Sequence, residues 1–169
     1  YLYVVNAYGS DISVIELVSK KEVRRLTAGN NPTGITISPD GKEILVTGRR
    51  ANIAAYNETL ITELTLIDTQ TQRAIKENVE SAYLMENAAY TPEGDLAFVT
   101  LIRPKNQIPS VQVEGGWMMT HGIGVLERGQ DANITQFLLD EPNAYYPDPF
   151  DIEITPDGKK AFVSSSGVD

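Results

Sequence analysis

Two pairs of residues carry the clearest hints of chemistry. Arg49 and Arg50 stand together and can grip a carboxylate or phosphate through forked hydrogen bonds, although two solvated loop cations is the plainer reading. Asp148 and Asp151 can bind Ca²⁺ with neighbouring carbonyls, but their spacing matches no standard calcium loop. His121 is the single histidine and follows Met118 and Met119. That set can ligate haem iron or copper carried by a second chain; a histidine capping the start of a strand is the blander role. Any Ser-His-Asp chemistry would have to use the same imidazole, and no Gly-x-Ser-x-Gly elbow is present. Tyr56, Arg103, Lys105, Trp117, Tyr145 and Tyr146 add cations and aromatics, a mixture enriched at interfaces and ligand pockets. Taken singly, Trp117 and the Met pair are better read as packing the long insertion against the rim. No catalytic residue and no metal site is assigned, so the reading leans away from an enzyme.

The bulk composition narrows the classes further. The net charge of −9 disfavours phosphate backbones and anionic membrane surfaces, so nucleic acid is not an expected partner. The absence of Cys removes disulfides, thiolate chemistry and covalent c-type haem attachment within these residues. No cofactor is therefore expected in the segment itself; haem would belong to a partner or fused domain. No stretch reaches the roughly 18 apolar residues of a membrane helix. No signal peptide is visible, because Tyr1 to Val5 already reads as a strand. Asn57-Glu58-Thr59 and Asn133-Ile134-Thr135 fit the glycosylation triplet, which is common by chance.

These side chains must be held by something, and the chain repeats itself. Thr33 to Thr47, Glu86 to Thr100 and Phe150 to Ser164 each read as a strand, a Ser/Thr-Pro-Asp/Glu-Gly turn and a second strand. Proline presets φ at its turn position, the preceding hydroxyl bonds back to the backbone, and glycine accepts the left-handed conformation that closes the hairpin. A third strand follows at Asp11 to Leu17, Ile61 to Asp68 and Gly122 to Glu127. A fourth follows at Lys21 to Thr27, Gln72 to Val79 and Asn133 to Leu139. Several strands are apolar on both alternating faces, as in Ile44-Leu45-Val46. A half-solvated sheet would alternate. Sheets buried on both sides are what radially stacked blades require. The fold class expected is all-β: a β-propeller of four-stranded antiparallel blades, forming an incomplete ring.

The repeats resemble the YVTN family of β-propellers. Tyr3-Val4-Val5-Asn6 stands where that family's name motif stands, with Val5 in place of Thr, and Asn31 to Gly41 resembles its inner strand and turn. The resemblance implies about three blades of a ring that usually has seven, and a periplasmic or extracellular location. It brings no common catalytic residue. Some members are surface proteins that bind; others are subunits of, or fusions with, haem or quinone enzymes.

Blade-sized repeats are expected at 1–32, 33–85, 86–149 and 150–169, the first and last incomplete. Pro39 to Pro92 and Pro92 to Pro156 are 53 and 64 residues apart. A plain blade takes roughly 40–45, so insertions are expected at 49–60 and 103–120. In an antiparallel blade both insertions share an end with the loops that lead into each inner strand. That rim, opposite the Pro-Asp-Gly turns, is the expected site for a protein partner or small ligand.

Overall fold

The structure is a computed structural model that describes residues 1–55, 58–104, 118–129, 134–141 and 143–167. No helix occurs among them; thirteen strands form four separate antiparallel sheets. The first sheet contains β1 (Leu2–Asn6), β2 (Asp11–Glu16) and β3 (Lys21–Thr27). The second contains β4 (Pro32–Ile37), β5 (Glu43–Gly48), β6 (Ile61–Asp68) and β7 (Arg73–Glu80), in that spatial order. The third contains β8 (Ala88–Tyr90), β9 (Leu96–Pro104), β10 (Met119–Glu127) and β11 (Thr135–Leu138). The fourth holds β12 (Pro149–Ile154) and β13 (Ala161–Ser165). Every sheet is a meander of sequential neighbours, the connectivity of a propeller blade. The molecule is an open β-propeller arc, and we number its sheets blades 1 to 4.

The side chains of blade 2 show why the sheets stack. Along β5, Ile44 and Val46 turn toward blade 1 and join Ile12, Val14, Leu26 and Ile67 in one core. Leu45, between them, turns the other way and joins Leu64, Val79, Met85, Val99, Leu101 and Leu126 in a second core, shared with blade 3. Both faces of a single strand are thus dry. Burying each such Leu or Ile contributes roughly 1.5–3 kcal/mol, so a blade without neighbours on either side loses most of its stabilisation. The inner strands adjoin one another in sequence, β4 against β8 and β8 against β12.

The three Pro-containing turns close alike. Ser38, Thr91 and Thr155 carbonyls accept the N–H groups of Gly41, Gly94 and Gly158 at 2.8, 2.9 and 2.8 Å. Those glycines have φ of +69°, +74° and +67°, a conformation that costs glycine little.

A second repeated device lies at the opposite end of each hairpin. Thr47 Oγ1 accepts the N–H of Gly34 at 2.9 Å, Thr100 Oγ1 that of Asn87 at 3.1 Å, and Ser164 Oγ that of Asp151 at 3.1 Å. In blades 2 and 4 the first ladder slips register here, and the hydroxyl satisfies a main-chain donor the slip leaves over. Gly34 sits so close to blade 3 that an added Cβ would lie 2.5 Å from the Glu86 carbonyl oxygen.

Candidate functional site: the rim of inter-blade loops

Two residues beyond each of those hydroxyls stand Arg49, just past β5, Ile102, within β9, and Ser166, just past β13. Each of these three donates its N–H to a carbonyl of the loop that leads into the inner strand. The acceptors are Asn31 at 3.0 Å, Tyr83 at 2.8 Å and Asp148 at 3.0 Å. Asn31 and Asp148 take left-handed φ of +52° and +54° directly before a proline, which Asn and Asp tolerate better than other non-glycine residues. The loop of blade 3 has one residue more, and there Leu84 takes the left-handed turn at +48°.

This repeated geometry builds one pocket across three blades. Arg49, Ile102 and Ser166 line it from equivalent positions, together with Leu84, Glu86, Asp148, Pro149 and Phe150, around about 320 Å³. Glu86 is largely buried and holds the Arg49 guanidinium through Nε at 2.7 Å, while half of the Arg49 side chain stays exposed. The pocket lies at the end of the blades where the second strand hands over to the third, the rim on which the insertions were expected.

A second constellation sits further out on blade 3. The Asp140 side chain is only 1% exposed, and its carboxylate collects three donors. Oδ2 accepts the His121 main-chain N–H at 2.7 Å and faces His121 Nδ1 at 3.1 Å; Oδ1 accepts the Tyr146 N–H at 3.1 Å. Burial pushes the Asp140 carboxyl up, but the two main-chain donors and the imidazole outweigh it, and the group lies below its usual range. The pair ties the start of β10 to the loop before β12.

The residues singled out in the sequence separate accordingly. Arg49 and Asp148 line the pocket, and Tyr146 meets His121 through Asp140. Tyr146 also lines a shallower hollow with Leu139, Pro149, Val163 and Ser165. Arg50 lies exposed beside Arg49, its N–H on the Asn30 carbonyl. Arg103 pairs with Thr120, and Met119 with Pro104, so the ladder of blade 3 runs past the limits set for the second insertion. Met118 and Tyr145 are exposed on the same rim. His121 is the third residue of β10, inside the ladder, and its main chain is capped by Asp140 rather than capping a strand itself. Asp151 spends a carboxylate oxygen on the Ile152 N–H. No group of three His, Asp or Glu side chains gathers to hold a metal among the described residues. Tyr56, Lys105 and Trp117 lie outside the described residues, as do Asn57, Gln107 and Asn133.

Sequence reasoning missed Glu86 and Asp140, the two carboxylates that fix the cation and the imidazole. It also missed a polar staple on the opposite face. There Arg128 reaches Asp40 at 3.1 Å and Glu43 at 3.4 Å, and Tyr90 donates to Glu43 at 2.9 Å. Each of these contacts joins residues of different repeats, and a repeat pattern carries no signal for that.

No family model matches the chain. It is 28% identical over 160 residues to hydrazine synthase subunit beta of Kuenenia stuttgartiensis, a match that covers 93% of this chain. The chain spans 40% of the length of that relative. Among solved structures, Kuenenia stuttgartiensis hydrazine synthase superposes with a TM-score of 0.61 at 24% identity, covering 98% of this chain and 58% of that one. A chain of the mitotic checkpoint complex superposes with a TM-score of 0.60 at 8% identity, covering 95% of this chain and 41% of the other. At such identities the superpositions speak for the fold, and both agree with a propeller.

Proposed function

We propose that this chain belongs to a propeller subunit of a multisubunit redox enzyme, built from YVTN-type repeats, and that it contributes a docking rim rather than reacting groups. The observation that carries this reading is the match to a hydrazine synthase beta subunit along 93% of the chain, insertions included in its span. A subunit needs a face for its partners. The rim of lead-in loops is the elaborated end of the arc and carries exposed Met118, Tyr145, Tyr146 and Phe150. Such side chains are common anchors at protein interfaces. Redox cofactors such as haem would reside on the partner or on a fused domain, since this stretch offers no Cys for covalent attachment. A location outside the cytoplasm, periplasmic or extracellular, accompanies this reading. No helix among the described residues is long and apolar enough to cross a membrane.

The pocket supports a second use of the same rim, a scaffold that binds a protein or a small ligand outside any redox assembly. One measurement separates the two. The full-length protein is purified under mild conditions from its native source and examined by sedimentation with absorbance at haem wavelengths. A stoichiometric hetero-oligomer with a haem spectrum is expected. A colourless species sedimenting as the single polypeptide overturns the redox reading and leaves the scaffold.

A further inference from the structure

We infer that the pocket lined by Arg49, Glu86 and Asp148 binds an organic cation, an ammonium or guanidinium head borne on a short apolar stem. Three features select that chemistry. The first is the charge of the lining. It holds one cation, Arg49, and two carboxylates, Glu86 and Asp148. Arg49 Nε lies 2.7 Å from the Glu86 carboxylate, so these two charges largely cancel. The charge left over is that of Asp148, whose carboxylate has no hydrogen-bond or ion-pair partner among the described residues. The main-chain carbonyl of Asp148 is the group that serves the fold, accepting the Ser166 N–H at 3.0 Å and the Ser166 Oγ at 3.3 Å. The second feature is the wall. Leu84, Ile102, Pro149 and Phe150 supply the apolar part of about 320 Å³, a volume at the low end for small-molecule sites. Such a wall rewards a stem of a few carbons. The Phe150 ring is half-exposed, and an aromatic ring attracts a cation as well as packing a hydrocarbon. The third is the field of the whole chain. A net charge of −9 draws cations to the surface and repels anions. An anion in the pocket would face Asp148, and a neutral ligand would leave that carboxylate unanswered. A bare divalent ion wants more oxygen ligands than the lining offers, since no group of three acidic or histidine side chains gathers among the described residues.

The chemistry is shared by a free alkyl amine or guanidine and by a lysine or arginine side chain presented by a partner protein. The pocket does not depend on the redox reading, because ligand titration and subunit association are read separately.

The test is a titration of the full-length protein, followed by heteronuclear NMR at the amides of Ile102, Phe150 and Ser166 and by calorimetry. Butylammonium or butylguanidinium is expected to bind saturably. The neutral butanol and the anionic butyrate should each bind on the order of tenfold more weakly or worse. Asp148→Asn should weaken binding of the cation by about tenfold. Asn tolerates the left-handed φ of +54° at this position, which guards against a folding artefact. Arg49→Gln leaves Glu86 uncompensated on the lining and should tighten binding several-fold, with the amide spectrum away from the pocket reporting that the variant is folded. Asp151→Asn, outside the pocket, should leave binding unchanged. A second arm uses the N-acetyl methylamides of lysine and arginine: tighter binding than the butyl cations assigns the site to a partner's side chain, and weaker binding assigns it to a free amine or guanidine. Equal binding of cation and butanol, stronger binding of butyrate, unchanged binding in Asp148→Asn, weaker binding in folded Arg49→Gln, or no saturable binding of either butyl cation overturns the inference.

Discussion

Tyr90 in blade 3 donates its phenolic proton to Glu43 in blade 2, 47 residues earlier, at 2.9 Å. The ring is 9% exposed, and the same Glu43 also faces Arg128. This bond crosses the boundary that the apolar core between the two blades otherwise seals.

Alkaline solution should open that boundary. Burial first, and the Glu43 carboxylate second, raise the Tyr90 phenol well above its ordinary value. A raised folded-state value means that its contribution is complete below the unfolded value, near about 10, and is lost as pH climbs above it. Thermal midpoints should therefore fall from pH 9 to pH 11. Tyr90→Phe should reduce that slope while costing about 1.5–3 kcal/mol at neutral pH for the missing charged hydrogen bond.

Acid should act on the opposite partner. The Ser38 hydroxyl, then Arg128, then the Lys42 N–H hold the Asp40 carboxyl far below its usual range. Asp95 and Asp157 are lowered as well, chiefly by the hydroxyls of Thr91 and Thr155. A depressed folded-state value gives stability that is present above the ordinary carboxylate range and disappears as pH falls below about 4. Asp40→Asn should lower the thermal midpoint at pH 7 and flatten its fall between pH 4 and pH 2.

The hydroxyl device at the start of each inner strand predicts a graded series. Thr47→Val keeps the shape but strands the Gly34 N–H, and Thr47 is 1% exposed. Urea unfolding should show a loss of about 1–3 kcal/mol, the desolvation cost of an unpaired buried donor. Ser164→Ala removes the same bond where the backbone partner is exposed, so its loss should be clearly smaller.

The clamp at Asp140 has a direct readout. An amide offers one acceptor oxygen where the carboxylate offers two. Asp140→Asn should therefore release either the His121 N–H or the Tyr146 N–H. Hydrogen exchange at one of these two amides should accelerate by at least about tenfold relative to the rest of β10, a change that corresponds to roughly 1.4 kcal/mol of local opening.

How far the residues alone disclose this molecule depends on the range of the interactions. The hairpin turns were legible because Pro-Asp-Gly and Pro-Glu-Gly set their own φ angles within four residues. The two-sided burial of β5 was legible because three consecutive apolar residues have no half-solvated solution. β6 falls on Ile61–Asp68 as read, since turn residues bound it on both sides. β10 starts earlier than its apolar run, at Met119, because cross-strand pairing with Pro104 and Arg103 extends it beyond the point where side-chain pattern gives out. Arg49 and Asp148 were marked as candidates from residue type alone, and the register of the blades brings them to one pocket. Glu86 was not marked, because a lone glutamate before a strand looks like any solvated loop charge until blade 2 supplies its arginine. Asp140 was passed over for the same reason: its partners are 19 residues back and 6 ahead.

The hydroxyl that stabilises each hairpin and the side chain that faces the rim are two residues apart, in three successive copies of the same motif. Thr47, Thr100 and Ser164 are constrained by the ladder. Arg49, Ile102 and Ser166 make the same main-chain bond to the lead-in loop with three different side chains: a half-exposed cation, a buried alkyl group and a hydroxyl that donates to the Asp148 carbonyl. Gene duplication of such a unit would yield copies already separated into an invariant letter and a free one. Specificity can then drift copy by copy, a cation here, a methyl group there, while the scaffold beneath stays the same.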